Sequence, residues 1–282
     1  MKTNQPVNKA NIRAIVVAAF GVLSMLLAVS ETAHAQGTND GSPIVFQAAG
    51  PDGASIQGAV NEFRALLGDN NLNNPGPLPK GRREINWDGG NPNVLDTTAP
   101  VNPFLTFLNT RGSQYKTPGL GLSQAPPSGG PQGGLAVLFG NPTYGKIFKA
   151  FSKSRLFTPV RSNITEASFS IPGTNGLSPA AVKAFGAVFT DVDQPDGVGA
   201  NTARSSTRIQ YFGRKGELIF TSFVPSSPGN GNLSFVGIAF DDARIASIRI
   251  KTGDVAPGPN DDRNHDIVMM DDFIYGEPQL LQ

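Results

Sequence analysis

The run LSFVGIAFDDARIASIRIKTGDVAPGPNDDRNHDIVMMDDFIYGEP, residues 233–278, contains three apolar segments separated by acidic turns. LSFVGIAF (233–240), ARIASIRIKT (243–252) and DIVMMDDFIYG (266–276) are short, rich in β-branched and aromatic residues, and bounded by Asp, Gly, Asn and Pro. Those are the marks of strands rather than helices. The last segment places Asp271 and Asp272 inside a hydrophobic run. Side chains alternate along a strand, so Asp271 is expected on the face of Met269 and Phe273 and Asp272 on that of Met270 and Ile274. Whichever face is buried then receives one acid. An uncompensated carboxylate there costs on the order of several kcal/mol, so it must meet an arginine, backbone N–H groups or a cation.

The same pattern continues upstream. LAVLF (135–139), RLFTPV (155–160), ITEASFSI (164–171), VKAFGAVFTDVD (182–193), TRIQYFG (207–213) and ELIFTSFVP (217–225) recur at the spacing of sandwich strands, about ten residues. In ITEASFSI, Ile164, Glu166, Ser168 and Ser170 form a wet face opposite Thr165, Ala167, Phe169 and Ile171. Gly213-Arg214-Lys215-Gly216 reads as a hairpin turn; SSPGNGN and Asp241-Asp242 are expected to close two more, giving an antiparallel meander or part of a Greek key over 207–252. Residues 91–134 are so broken by Pro and Gly that only short strands near 104–108 and 114–116 are expected. RREINWDGG supplies the first sandwich strand, with Trp87 as a core anchor.

Ahead of this region Ile56, Val60, Phe63 and Leu67 fall at helical spacing, which predicts one amphipathic helix over 54–68, N-capped by Ser55 and ended by Gly68. Residues 36–53 are small, polar and turn-rich and read as a flexible arm. With 33 Gly, 23 Pro and 18 Phe against only 16% charged residues, the composition favours many short strands over a bundle. The expected fold is therefore all-β: a jelly-roll-like antiparallel β-sandwich over 82–278, in one domain, with the helix packed on one edge.

Residues 1–35 have the form of a signal peptide. A basic start (Lys2, Lys9, Arg13) precedes an apolar core, Ala14 to Val29, and Ala33-His34-Ala35 fits a cleavage site. Cleavage would remove three of 23 basic residues and, with Glu31, one of 22 acids, leaving 20 against 21. So balanced a chain has no polycation for nucleic acid, and no further apolar segment for a membrane. The expectation is a secreted or periplasmic monomer. It has no cysteine, so disulfides contribute nothing to its stability.

Few catalytic constellations survive this inventory. His265, in a polar loop, is the single histidine after the leader, and no nucleotide-binding or zincin motif occurs. Carboxylates remain. Asp191, Asp193 and Asp196 in TDVDQPDGVG resemble a calcium loop, since Ca²⁺ takes several hard oxygens on a turning backbone. It is not an EF-hand, because the twelfth position is Thr202. Asp271 and Asp272 are the second candidate site for calcium. A glycan-active hydrolase needs two carboxylates about 5 to 10 Å apart, but nothing in the spacing selects a pair among Asp88, Glu166, Asp193, Glu217, Asp272 and Glu277. Tyr115, Tyr144 and Tyr211 are candidates for a sugar-stacking platform.

The blocks REINWDGG, PGTNG, AFGAVFTDVD, LSFVGIAFDD and MDDFIYGEP occur in this order. In them, over Ile56 to Pro278, the chain resembles an uncharacterised family of secreted bacterial β-sandwich proteins. More remotely, the closing Asp-Asp strand is similar to that of jelly-roll carbohydrate-binding modules. That resemblance implies a structural calcium held by Asp271 or Asp272, with Asp88 as a partner, and an extracellular glycan as ligand. The expected function is an exported, non-catalytic binding or surface protein. The alternatives are a glycan-active hydrolase and a structural matrix protein.

Overall fold

The computed structural model describes Met1 and residues 41–89, 97–193, 207–259 and 265–281. The signal peptide read over 1–35 lies, Met1 apart, outside the described residues, as does Asp196. Among the described residues the strands form two antiparallel sheets packed as a sandwich. The first sheet runs β1 (Ile44–Gly50), β12 (Leu233–Ala239), β9 (Ala184–Thr190), β14 (Met269–Gly276), β6 (Leu156–Val160), β5 (Gly121–Ala125) and β3 (Thr97–Val101), with β2 (Arg82–Ile85) also paired to β14. The second runs β11 (Leu218–Phe223), β10 (Arg208–Phe212), β13 (Ser247–Lys251), β7 (Ile164–Ser170), β8 (Pro179–Ala181) and β15 (Gln279–Leu280), with β4 (Ser113–Lys116) on the far side of β7.

Strand patterning explains which sheet takes which strand. β9, β12 and β14 are buried at every position, because their sheet is covered on both faces. β7, β10 and β13 alternate, with one face on the core and one on solvent. Consecutive strands therefore cross between sheets: β9 lies in the first, β10 and β11 in the second, β12 in the first, β13 in the second and β14 in the first. The meander expected over 207–252 is thus corrected. The Gly213–Gly216 turn does close a hairpin, with the Gly213 N–H donating to the Glu217 carbonyl, whereas SSPGNGN and Asp241-Asp242 are crossovers.

The core between the sheets is aromatic. Trp87 is buried and its ring stacks on Phe157 at 3.7 Å, with Phe104, Phe107, Tyr115 and Phe273 meeting it edge-on. Its indole Nε1 donates to the Asp271 carbonyl at 3.1 Å, which ties the segment that follows β2 to β14. Tyr115, Tyr144 and Tyr211 are also buried, so they belong to cores and form no sugar platform.

Helix α1 (Gly53–Leu67) buries Ile56, Val60, Phe63 and Leu67, the stripe its spacing predicts. Burial of such side chains contributes roughly 1.5–3 kcal/mol each. It packs on the outer face of the first sheet, against Phe46, Val188, Leu233, Phe235 and Ile274, and not on an edge. Its N-cap is Asp52, which accepts from the Ser55 backbone N–H at 3.0 Å and the Ser55 hydroxyl at 2.8 Å; Ser55 is the capped residue, not the cap. The arm expected over 36–53 is corrected as well, since Ile44–Gly50 is a strand paired with β12 along its whole length.

Short helical turns α2 (Leu108–Arg111), α3 (Gly134–Leu138) and α4 (Tyr144–Ile147) complete the fold. α3 replaces the strand expected at LAVLF. Leu135 and Phe139, one helical turn apart, both enter a cluster with Tyr144, Leu156 and Met269, while Val137, which would share their face in a strand, is exposed. At the far end of β14, Arg83 and Glu277 form a buried bidentate pair at 2.6 and 2.7 Å. Arg83 also donates to the Leu72 and Asn74 carbonyls, and Glu277 accepts from Asn71 and the Leu78 N–H, so the loop after α1 is fixed to the closing strand. Among the described residues no helix is long and apolar enough to cross a membrane.

Candidate functional site

Both acids of the closing strand are buried, as every residue of β14 is, and both turn to one face, contrary to the alternation argument. The cause is a β-bulge. Met270 pairs with Phe189 and Phe273 with Ala187, so Asp271 and Asp272 together oppose a single residue of β9. The extra residue lets Met270 and Phe273 both face the inter-sheet core while both carboxylates turn to one hydroxyl, that of Ser152. Asp88 reaches the same hydroxyl at 3.2 Å, delivered by Trp87, whose positive φ of 59° is rare for a bulky residue. The structure thus brings Asp88, Asp271 and Asp272 together.

What compensates them is the loop FSKSR, residues 151–155. Asp271 Oδ2 accepts from the Phe151 N–H at 2.6 Å and the Ser152 N–H at 3.2 Å, and Asp88 Oδ1 accepts from the Ser154 and Arg155 N–H groups at 3.1 and 3.0 Å. Asp272 takes the Ser152 hydroxyl at 2.6 Å and Arg64 of α1 at 3.4 Å. Burial first, then repulsion from Asp272, holds the Asp271 carboxyl well above the ordinary carboxylate range. Burial raises Asp272 too, against the pull of Ser152 and Arg64. One hydroxyl hydrogen faces oxygens of Asp88, Asp271, Asp272 and Asn86 within 3.4 Å, so the three carboxylates crowd about a single donor.

Calcium, which takes about six to eight oxygens, fits this arrangement poorly. Backbone N–H groups of the loop already take Asp271 Oδ2 and Asp88 Oδ1, and the Ser152 hydroxyl sits where Asp88 Oδ2, Asp271 Oδ1 and Asp272 Oδ1 converge. Among the described residues no group of three or more His, Cys, Asp and Glu side chains is placed to hold a metal. Asp193 engages the Gly229 N–H at 3.0 Å and Asp266, not the acids of the bulge. Asp191 is buried at the end of β9 with a φ of 68°. His265 is exposed beside Asp254 at 3.3 Å.

Two adjoining hollows open elsewhere, on the outer face of the second sheet. Register aligns its outward side chains in rows across the strands. One row is Thr221, Gln210, Arg249, Glu166 and Lys116; on one side of it lie Phe212, Ser247, Ser168 and Gln114, and on the other Phe223, Arg208, Lys251 and Ile164. A hollow of about 500 Å³ lies over Gln114, Lys116, Glu166, Ser168, Phe212 and Arg249. A second, also about 500 Å³, adjoins it at Lys116, Glu166 and Arg249. Glu166 accepts from Arg249 Nε and Nη2 at 3.0 and 2.6 Å and lies 3.5 Å from Lys116 Nζ. Against the opposing effect of partial burial, these two cations hold its carboxyl below the ordinary range. Phe223 is 55% exposed at the rim and Phe212 half-buried.

No family model, curated protein or solved structure matches the chain. The site therefore stands on its own geometry. Sequence reading had placed Glu166 and Ser168 on a wet face but not joined them to Arg249, Lys116, Phe212 and Phe223. The signal was present, because β4, β10 and β13 alternate in the same way. The register that assembles them was not.

Proposed function

We propose that this chain is an exported, non-catalytic binding protein whose ligand, a carbohydrate, lies across the outer face of the second sheet. The observation that carries this reading is the pair of adjoining hollows lined by amide, hydroxyl and charged side chains beside the half-buried Phe212. Ligand sites combine an apolar floor with a few placed polar groups, and sugars offer both hydroxyls and apolar ring faces. Hydrolysis is disfavoured by the same lining. Among the described residues bordering either hollow Glu166 is the single carboxylate, and it is engaged by Arg249 and Lys116, so no acid and base flank a common bond. The export leader and the resemblance to secreted sandwich proteins support an extracytoplasmic setting. Affinity electrophoresis of the mature chain through gels with and without soluble polysaccharides tests the reading. Retardation by at least one polysaccharide, weakened in Arg249→Gln, is expected; unretarded migration in all of them would refute it.

The acids of the bulge serve the fold in this reading, as anchors for the loop 151–155. A structural calcium at Asp88, Asp271 and Asp272 is the competing reading, since a cation would also relieve the crowding around Ser152. A thermal melt with calcium and with a chelator separates the two. An unchanged midpoint is expected, and a chelator-induced drop of several degrees would establish the ion instead.

A further inference from the structure

The second sheet ends on β11, which among the described residues pairs on one side only, with β10. A free strand edge presents a row of unpaired N–H and C=O groups, and monomeric proteins blunt it with charge, proline or brevity. Two other edges follow that rule: β3 includes Pro100, and β15 is two residues long. β11 does not. Its sequence, LIFTSF, has no charge and no proline, and Leu218 and Phe223 at its two ends are 53% and 55% exposed. β1, the free edge of the first sheet, is also uncharged, but none of its large apolar side chains is exposed.

Register arranges this edge symmetrically. Against β10, Phe223 faces Arg208, Thr221 faces Gln210 and Leu218 faces Phe212, so the three are evenly spaced on the outer face although Ile219 is an extra residue between them. The bulge at Ile219 therefore places Leu218 and Phe223 at equal steps on either side of Thr221. Backbone direction agrees. The Val224 N–H donates to the Thr207 carbonyl, and hydrogen-bonded positions alternate along an antiparallel strand. Ser222 and Phe220 thus turn their backbone groups toward β10, and Thr221 and Phe223 turn theirs to the open edge.

In place of the monomer expected from the sequence, we infer that a second copy of this chain docks on β11, edge to edge and antiparallel, about a two-fold axis through Thr221. Thr221 exchanges both backbone bonds with Thr221 of the second copy, and Phe223 of each copy covers Leu218 of the other. Thr–Thr and aromatic–aliphatic pairs are favourable across strands, and within 218–223 no charge meets a like charge. A two-fold contact consumes the free edge of both copies, so it closes at two. The outer faces then form one surface, with the row from Lys116 to Thr221 running on into its copy. An edge of 6 residues belongs with interfaces below roughly 1,200 Å², so the dimer is reversible, with a Kd on the order of 10 µM.

Sedimentation velocity of the chain lacking residues 1–35, from about 1 to about 100 µM, tests this. A monomer that converts to a dimer across the range, with no larger species, is expected. Leu218→Lys and Phe223→Glu should each weaken the dimer about tenfold, and the two combined should regain most of that loss, because the axis sets the opposite charges against each other. A damaged fold gives no such recovery, and circular dichroism melts check each variant. The chain has no cysteine, so single cysteines report position directly. Thr221→Cys, on the axis, should yield a disulfide-linked dimer under mild oxidation, whereas Gln210→Cys, one strand further out on each copy, should not. A chain that stays monomeric to about 100 µM overturns the inference. If that monomer binds a labelled peptide of sequence 217–224, the edge takes a foreign strand instead. A dimer that none of the folded variants changes, or a charge pair that brings no recovery, overturns it by putting the contact elsewhere. Open-ended growth with concentration overturns it in favour of β11 pairing with β1 of the next copy.

Discussion

Burial, and then the repulsion between Asp271 and Asp272, decides how these two carboxyls behave, and Ser152, with one hydroxyl hydrogen among four oxygens, offsets it in part. A buried carboxyl whose folded pKa lies above the unfolded value of about 3.9 holds its proton more tightly in the folded state. Its contribution to stability is greatest in acid. It declines as pH climbs from about 4 through the raised folded value, because the unfolded chain then releases the proton more readily. Asp271→Asn keeps an acceptor for the Phe151 or Ser152 N–H and can donate to Asp272 without titrating. Denaturant melts from pH 4 to 8 should therefore show the Asn variant gaining on wild type as pH rises, by about 1.4 kcal/mol for each unit of upward shift that is relieved. Asp271→Ala, which does not titrate either, should gain on wild type with the same slope but lie about 1–3 kcal/mol below the Asn variant throughout, since it leaves backbone donors unpaired. An Asn variant that gains nothing on wild type across this range, or falls behind it, would mean that the folded carboxyl is not held high, as with a bound cation.

At the level of elements, the seat of α1 depends on two glycines. Gly186 of β9 and Gly237 of β12 are register partners, and the Phe63 ring rests on them. A Cβ on Gly186 would meet the Gly237 Cα at 2.8 Å and the Phe63 ring and Val236 carbonyl at 3.0 Å, whereas the atoms nearest one on Gly237 belong to the Phe63 and Phe235 rings, at 3.1 Å. Rings can tilt and backbone cannot. Gly186→Ala should cost about 1–3 kcal/mol and Gly237→Ala less, read from chemical melts. Replacing Phe63 with Leu should recover part of the Gly186→Ala loss by freeing the ring contact. If Gly237→Ala proves the more damaging, the notch is not what positions the helix. These glycines also mark a limit of sequence reading. AFGAVF and FVGIAF announce strands, but a strand glycine announces a close approach without saying what approaches.

Across the whole molecule, the legible features were those set by local period. The α1 stripe, the wet face of β7 and the unbroken burial of β9 and β12 all follow from side-chain spacing along one segment. The bulge at Asp271 and Asp272 is different, since one extra residue reverses which side an acid takes and nothing local records it. The crossovers between β11, β12 and β13 are likewise set by the α1 layer that covers the first sheet. The same coupling explains why Ile44–Gly50 looked like an arm. Its strand signal is only Ile44-Val45-Phe46, followed by Gln47, two alanines and a glycine, yet β1 pairs with β12 from Ile44 to Gly50, and Phe46 packs against Phe63 at 5.4 Å. Removing it would uncover the edge of a buried apolar strand and strip one wall from the helix seat. A chain beginning at Pro51 is therefore expected to melt at least several degrees lower than one beginning at Gly41 and to associate at micromolar concentration, followed by circular dichroism and light scattering. Identical melts for the two would mean that the sandwich closes without β1, and that α1 is held by β12 and β14 alone.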